Sequence, residues 1–131
     1  MAKWSRNKFN VAPVNRRTYK GRTYDSRAEM LYAQHLDLLV RSGDVVDYCD
    51  QPKVHISGDL WYRPDYLVIE PDDAYYVDVK GVMTDGFRKV MAAWPARTGL
   101  PLRVIKHQRG KFITTEVVGS HHAQQVPPER T

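Results

Sequence analysis

Cysteine is almost missing from this chain. Cys49 is the only one among 131 residues, which excludes an internal disulfide and any zinc site built on clustered thiolates. Such usage fits a reducing compartment, so a cytoplasmic location is expected. Long apolar runs are missing too. No stretch has the roughly 18 consecutive apolar residues of a membrane span. The opening residues, Met-Ala-Lys-Trp-Ser-Arg, lack the apolar core of a secretory leader. No membrane partner is expected. Acidic residues are scarce where the chain begins. Residues 1–27 carry Lys3, Arg6, Lys8, Arg16, Arg17, Lys20, Arg22 and Arg27 against Asp25 alone, a local net of +7 within a chain total of +5. A basic arm ahead of a near-neutral body is the electrostatic footprint of a nucleic-acid binder, and a solubilising tail is the plainer reading. No internal repeat is visible, and the length suits one domain around one core.

Three segments are expected: a basic arm over 1–17, a folded domain over 18–118, and a flexible tail over 119–131 that holds His121, His122, Pro127 and Pro128. Within the domain, apolar spacing predicts the elements. Arg17 to Tyr24 suits a short strand broken by Gly21. Ala28, Leu31, Tyr32, Leu36, Leu38 and Leu39 recur every three or four residues, which predicts a helix from Ser26 that Gly43 ends. Asp44 to Ser57 suits a strand interrupted at Gln51-Pro52, because proline brings no ladder donor. From Trp61 to Gly81 two strands are joined by the turn Glu70-Pro71-Asp72-Asp73. Thr84-Asp85 opens a second helix that runs to about Thr98 with Pro95 near its end, burying Phe87, Val90, Met91 and Trp94. Leu102 to His107 and Lys111 to Val118 complete the set, around the turn Gln108-Arg109-Gly110. The order α-β-β-β-α-β-β predicts an α/β fold, a mixed β-sheet flanked by helices.

The stretch from Trp61 to Gly81 carries the chemistry. Alternation puts Asp78 and Lys80 on one face of their strand and Val77 and Val79 on the other. Asp65 follows Pro64 at the start of the preceding strand. Antiparallel pairing about the turn at 70–73 then brings Asp65 and Asp78 to the same end of the hairpin. Two carboxylates beside an ammonium suit a hard divalent cation such as Mg²⁺, which takes oxygen ligands and commonly one or two carboxylates. Lys80 is placed to position or deprotonate a water. The plainer reading of all three is a solvated charged face. Glu29 also has two readings. Ser26-x-x-Glu29 is a capping box, which needs no catalysis, and the same glutamate can turn toward the carboxylate pair. Gln51 suits a phosphate contact or the satisfaction of irregular backbone.

These motifs resemble the PD-(D/E)xK nuclease superfamily. Ser26-Arg27-Ala28-Glu29, Tyr62-Arg63-Pro64-Asp65-Tyr66, Asp78-Val79-Lys80-Gly81 and Pro101-Leu102-Arg103-Val104-Ile105 fall in the order found in phage endonuclease I-type Holliday-junction resolvases. A related group of small phage nucleases also has a Gln-Pro pair before the hairpin, here Gln51-Pro52. The resemblance covers roughly Thr18 to Phe112. It implies a restriction-endonuclease-like core and Mg²⁺-dependent hydrolysis of phosphodiester bonds, with Mn²⁺ as a substitute. It implies Asp65, Asp78 and the backbone carbonyl of Val79 as metal ligands, Glu29 completing the shell, and Lys80 at the nucleophile. It further implies branched DNA as substrate, a homodimer with one site per strand, and action in the host cytoplasm if the chain is phage-encoded. The DNA contacts expected are Arg16, Arg17, Lys20 and Arg22 from the basic region, Gln51, Arg88 and Lys89 on the second helix, and Lys106, Arg109 and Lys111 around the last turn. Two alternatives stand beside this reading. One is the same core acting on other DNA by restriction-like, nicking or transposon-end cleavage. The other is a non-catalytic DNA-binding module with a degenerate nuclease fold.

Overall fold

The computed structural model describes residues 11–97 and 99–119. Residues 1–10 of the expected arm, Thr98 and residues 120–131 of the expected tail lie outside them. After a turn of 3-10 helix at Val14–Arg16, strands β1 (Thr18–Tyr19) and β2 (Arg22–Thr23) form a minimal hairpin. Lys20 and Gly21 make its turn with φ of 53° and 77°. Two positive φ values are what a two-residue hairpin turn requires, and they explain why Gly21 breaks the expected strand.

Helix α1 (Arg27–Ser42) starts where Ser26 adopts an extended backbone and its hydroxyl accepts the Glu29 amide at 3.1 Å. It ends at Gly43 in the left-handed region, φ 88°. Its stripe of Met30, Tyr32, Ala33 and Leu36 is buried against the sheet, and Leu36 and Ala33 have no exposed surface.

The main sheet has five strands in the order β3 (Asp47–Asp50), β6 (Tyr66–Ile69), β7 (Ala74–Val79), β8 (Leu102–Gln108), β9 (Lys111–Val118). Only β7 and β8 pair in parallel, with Asp78 beside Val104. The parallel step needs a crossover, which α2 (Asp85–Ala93) supplies. The sheet is therefore mixed and has a helix on each face. On one face Val77, Val79 and Ile105 meet α1; on the other Leu102 and Val104 meet Phe87, Val90 and Trp94. The second helix stops at Ala93, short of the expected Thr98, and Trp94–Ala96 continues as 3-10 helix around Pro95. No helix among the described residues is long and apolar enough to cross a membrane.

The expected strand over Asp44–Ser57 is two strands in different sheets, and so is the segment after Leu60. Strands β4 (Val54–Ser57) and β5 (Leu60–Tyr62) form their own hairpin, packed toward α2. The register shows why. Asp50 faces Tyr66 in the main sheet and Val54 faces Tyr62 in the small one. Continuing that register sets Pro52 opposite Pro64. Neither proline has an N–H, so the ladder loses its donors from both sides at one level. One long ribbon therefore bends there and divides into two short ladders. The last link before the break is the Gln51 amide on the Asp65 carbonyl, 2.9 Å.

Leu36→Ala should lower stability by about 2–5 kcal/mol, as expected for a buried leucine truncated in a closed core. Urea denaturation followed by far-ultraviolet circular dichroism checks this, and a loss under about 1 kcal/mol would mean that α1 is not packed as described.

Candidate active site

The bend in the ribbon releases Asp65 from the ladder. Its side chain turns across the end of β7, where Oδ2 accepts the Val79 amide at 2.7 Å. Its own amide donates to Asp78 Oδ1 at 3.3 Å. The two aspartates are thus cross-linked through each other's strands. Asp78 itself is a carboxyl with no exposed surface on a central strand. Its Oδ2 is buried and has no hydrogen-bond partner among the described residues. Lys80, two residues on and on the same face, holds Nζ 4.0 Å from Asp78 Oδ1 and 4.4 Å from the centre of the Phe87 ring. The ammonium is half-buried and turned toward the carboxylates, not into the core.

Glu29 approaches from α1. Its carbonyl accepts the Tyr66 hydroxyl at 2.8 Å, which ties the first helical turn to the residue after Asp65. The capping reading is met on the backbone side, and Ser26 Oγ lies 3.5 Å from Glu29 Oε1. Even so, the carboxyl is buried and sits in the field of Asp65. The two sequence readings are therefore compatible in one residue. Val79 directs its side chain into the core and presents only its peptide to this region.

The electrostatics are unfavourable by construction. Burial, then the charges of Asp65 and Asp25, push the Glu29 carboxyl up to about 8. Burial, then the charge of Asp65, pushes Asp78 up to about 8, opposed by Lys80 and Tyr62. Burial also raises Asp65, against the Val79 amide and the Lys80 charge. Desolvation and like-charge crowding both disfavour the ionised form, which is the pattern of a site made to receive a cation or a proton. Tyr62 belongs to this site and was not singled out from the sequence. Burial and the nearby Asp78 push its hydroxyl up. Alternation along β5, with Leu60 and Tyr62 inward and Trp61 outward, was the signal that could have found it.

Among the described residues, no three His, Cys, Asp or Glu side chains are drawn together tightly enough to hold a metal ion. Two carboxylates suffice for Mg²⁺, which completes its shell with water and substrate oxygen. Asp65 and Asp78 supply that pair, and Asp78 Oδ2 accepts no hydrogen bond among the described residues, with the Tyr62 hydroxyl near the same carboxyl. The donor set fits the ion.

The expected DNA contacts divide. Lys106 is the residue after Ile105, whose carbonyl accepts the Lys80 amide at 2.8 Å. Alternation along β8 puts Lys106 on the face of Asp78 and Lys80. Arg109 and Lys111 lie at the exposed turn beyond it, past the same end of the sheet. Arg16 and Lys89 are exposed. Others are already engaged. Arg17 donates to the carbonyls of Ala12 and Tyr24 at 2.8 and 2.6 Å. Lys20 pairs with Asp37 at 3.0 Å, Arg22 with Asp50 at 3.4 Å and Arg88 with Asp85 at 3.4 Å. Asp37 also accepts the hydroxyls of Tyr19 and Tyr48, both at 2.6 Å. Burial works against its charge, yet these donors hold it down at about 2. Gln51 stands across the ribbon from Asp65 with φ 46°, joined to the site through its backbone. Compared with protein-family models, curated proteins and solved structures, the chain matches none.

The raised carboxyl groups have a consequence for stability. A carboxyl raised on folding binds its proton more tightly in the native state. Its contribution is fully present below the unfolded value, near 4, and is lost as pH rises through about 8. The metal-free protein should therefore lose thermal stability from about pH 5 to pH 8. Asp78→Asn should flatten that decline and raise the melting temperature at pH 8 by several degrees. Melting curves across pH in EDTA test this, and an identical pH profile in both proteins would show that Asp78 carries no such strain.

Proposed function

We propose that this chain is a metal-dependent endodeoxyribonuclease with a restriction-endonuclease-like core, cutting branched DNA in the manner of a junction resolvase. The observation that carries the reading is the meeting of Asp65, Asp78 and Lys80 at one sheet end, with Asp78 Oδ2 buried and unpartnered. A charged face made only for solubility has no reason to bury a bare carboxylate oxygen. Asp65 and Asp78 would hold Mg²⁺ or Mn²⁺, with the Val79 carbonyl beside them. When bound, the ion lowers the pKa of a water and neutralises charge on the scissile phosphate.

The protein's own groups account for the remaining steps. Asp65 is locked by the Val79 amide, so its free oxygen keeps one direction without reorganisation. Lys80 supports the attacking water and offsets the charge that builds on phosphate oxygens as the P–O bond to the leaving strand breaks. Phe87 beneath its ammonium limits where that charge can go. Glu29, buried on the first turn of α1 and in the field of Asp65, would complete the shell of the ion. Lys106, Arg109 and Lys111 extend from the same sheet end and supply cations to the flanking phosphates. Resolving a four-way junction takes two cuts, so the form acting on that substrate is a homodimer. Such an enzyme works where DNA is exposed, inside the cell.

Purified protein should make paired cuts in a labelled four-way junction with Mg²⁺ and none with EDTA, and should leave a matched linear duplex largely intact. Equal cutting of the duplex would keep the nuclease and remove the junction preference. Binding without cleavage under every metal tried would remove the catalytic reading. Asp78→Asn should abolish cleavage while retaining binding, and Lys80→Ala should slow it by roughly 10²–10³-fold, the usual effect of removing one preorganised charge-stabilising donor. Undiminished turnover in Asp78→Asn would exclude that residue from the site.

A further inference from the structure

Trp61 has no role in the chemistry described, and it is half exposed, at 51%. The contrast within the chain is instructive. Trp94 has no exposed surface, and its indole N–H donates to the Leu100 carbonyl at 3.1 Å. On β5 the inward residues are Leu60 and Tyr62, so the core does not need the Trp61 ring. The ring is nevertheless held in place. Lys53 Nζ lies 4.9 Å from its centroid, and the His55 ring, its cross-strand partner, lies 4.6 Å away. His55 is fixed in turn by a 2.8 Å contact between Nε2 and the Gly58 carbonyl. Beside this aromatic lies an open cavity of about 340 Å³ lined by Lys53, Trp61, Tyr62 and Arg63. An exposed, oriented indole beside a concavity with two cations is not the make-up of a solvated loop.

From this we propose that Trp61, with Lys53 and Arg63, forms a stacking platform for an unpaired nucleobase in a DNA strand that runs into the carboxylate site. The inference deepens the nuclease reading and rests on it for the polarity of the strand. A flat π-face takes any base, and nearby cations take the adjoining phosphates, the combination that single-strand binding surfaces use. Lys53 lies over the ring and would swing out to a phosphate as a base stacks. Arg63, which donates one Nη1 bond to the Gln51 carbonyl at 3.3 Å, lines the same cavity. Position supports the assignment. Tyr62, the next residue, faces the opposite side of β5 and lies near Asp78 on β7, so the strand that carries the platform passes beside the buried carboxylate. Trp61 and Asp65 are four residues apart, so their backbones lie within about 14 Å, roughly four stacked nucleotides. Stacking demands a base that is not paired inside a duplex. Flaps, frayed ends and branch points that open locally supply one next to the phosphate to be cut, whereas intact duplex does not. The platform therefore selects for single-stranded character at the cleavage point.

The test uses the full chain carrying Asp78→Asn in Mg²⁺, so that bound DNA is not cut. Fluorescence anisotropy is read with a labelled twelve-nucleotide thymidine strand and with a twelve-base-pair duplex. Trp61→Ala should weaken single-strand binding by about 5- to 100-fold, the range of one lost base–aromatic stack. Trp61→Phe should recover most of that loss, and duplex affinity should change by less than about twofold. Melting curves of both variants should match the parent, since the ring lies outside the core. Unchanged single-strand affinity in Trp61→Ala, absence of single-strand binding by the parent, or an equal loss for both probes would each overturn the platform. Failure of the nuclease reading looks different: no cleavage by the protein with Asp78 intact, together with a Trp61-dependent single-strand affinity. Cleavage combined with Trp61-independent binding would remove the platform alone.

Discussion

The hydrogen bond from the Val79 amide to the Asp65 carboxylate holds this site together. It joins the strand that carries Asp78 and leads to Lys80 to the one that follows Pro64, and it does so where the ladder has run out of donors. Two opposed prolines create that gap. With an N–H on either side the ribbon could continue flat, and Asp65 would be one more ladder residue with its side chain committed to a sheet face. The bend leaves a short irregular segment at a sheet end, where backbone amides are free to orient carboxylates. Functional groups gather at such ends because a rigid sheet positions them while the irregular backbone presents them.

The site stores electrostatic strain that the rest of the fold supports. Three carboxyl groups lie under partial or complete burial, and among the described residues one half-buried ammonium faces them. A core composed only for stability would replace Asp78 by an apolar residue of similar volume, since a buried charge without full pairing is unfavourable. The surrounding packing is extensive enough to bear it. Leu36, Val68, Val77, Leu102 and Trp94 are all fully enclosed, in clusters on both faces of the sheet. Well-packed layers on each side of β7 keep its end fixed while the carboxylates repel one another.

Much of the architecture was legible in the residue order. The helix between Ser26 and Gly43 follows from a cap, a stripe and a left-handed stop, all local signals. The turn at residues 70–73 follows from Pro71 and its acidic neighbours, and it sets the register that brings Asp65 to Asp78. Other features were less legible for a physical reason. Val54 and Ile56 have the same strand propensity whether they extend the main sheet or a separate hairpin. The choice depends on prolines twelve residues apart facing each other. The expected helix to Thr98 overran because apolar spacing continues through Trp94 while Pro95 removes the donor that a further turn needs. Lys20 and Arg22 looked alike as free cations, and only the folded chain pairs them with Asp37 and Asp50, whereas Asp85 and Arg88 pair locally across one helical turn.

By itself the sequence determined where both helices begin, where the first one ends, and the pairing of residues across one tight turn, because capping, alternation and turn chemistry act over a few neighbours. Tertiary structure alone decided which charges are buried, which cations are neutralised, and which of two tryptophans, Trp61 or Trp94, faces outward. Burial and pairing depend on what lies opposite a side chain in space. That is set by the closing of the whole sheet, not by the residues on either side in the chain.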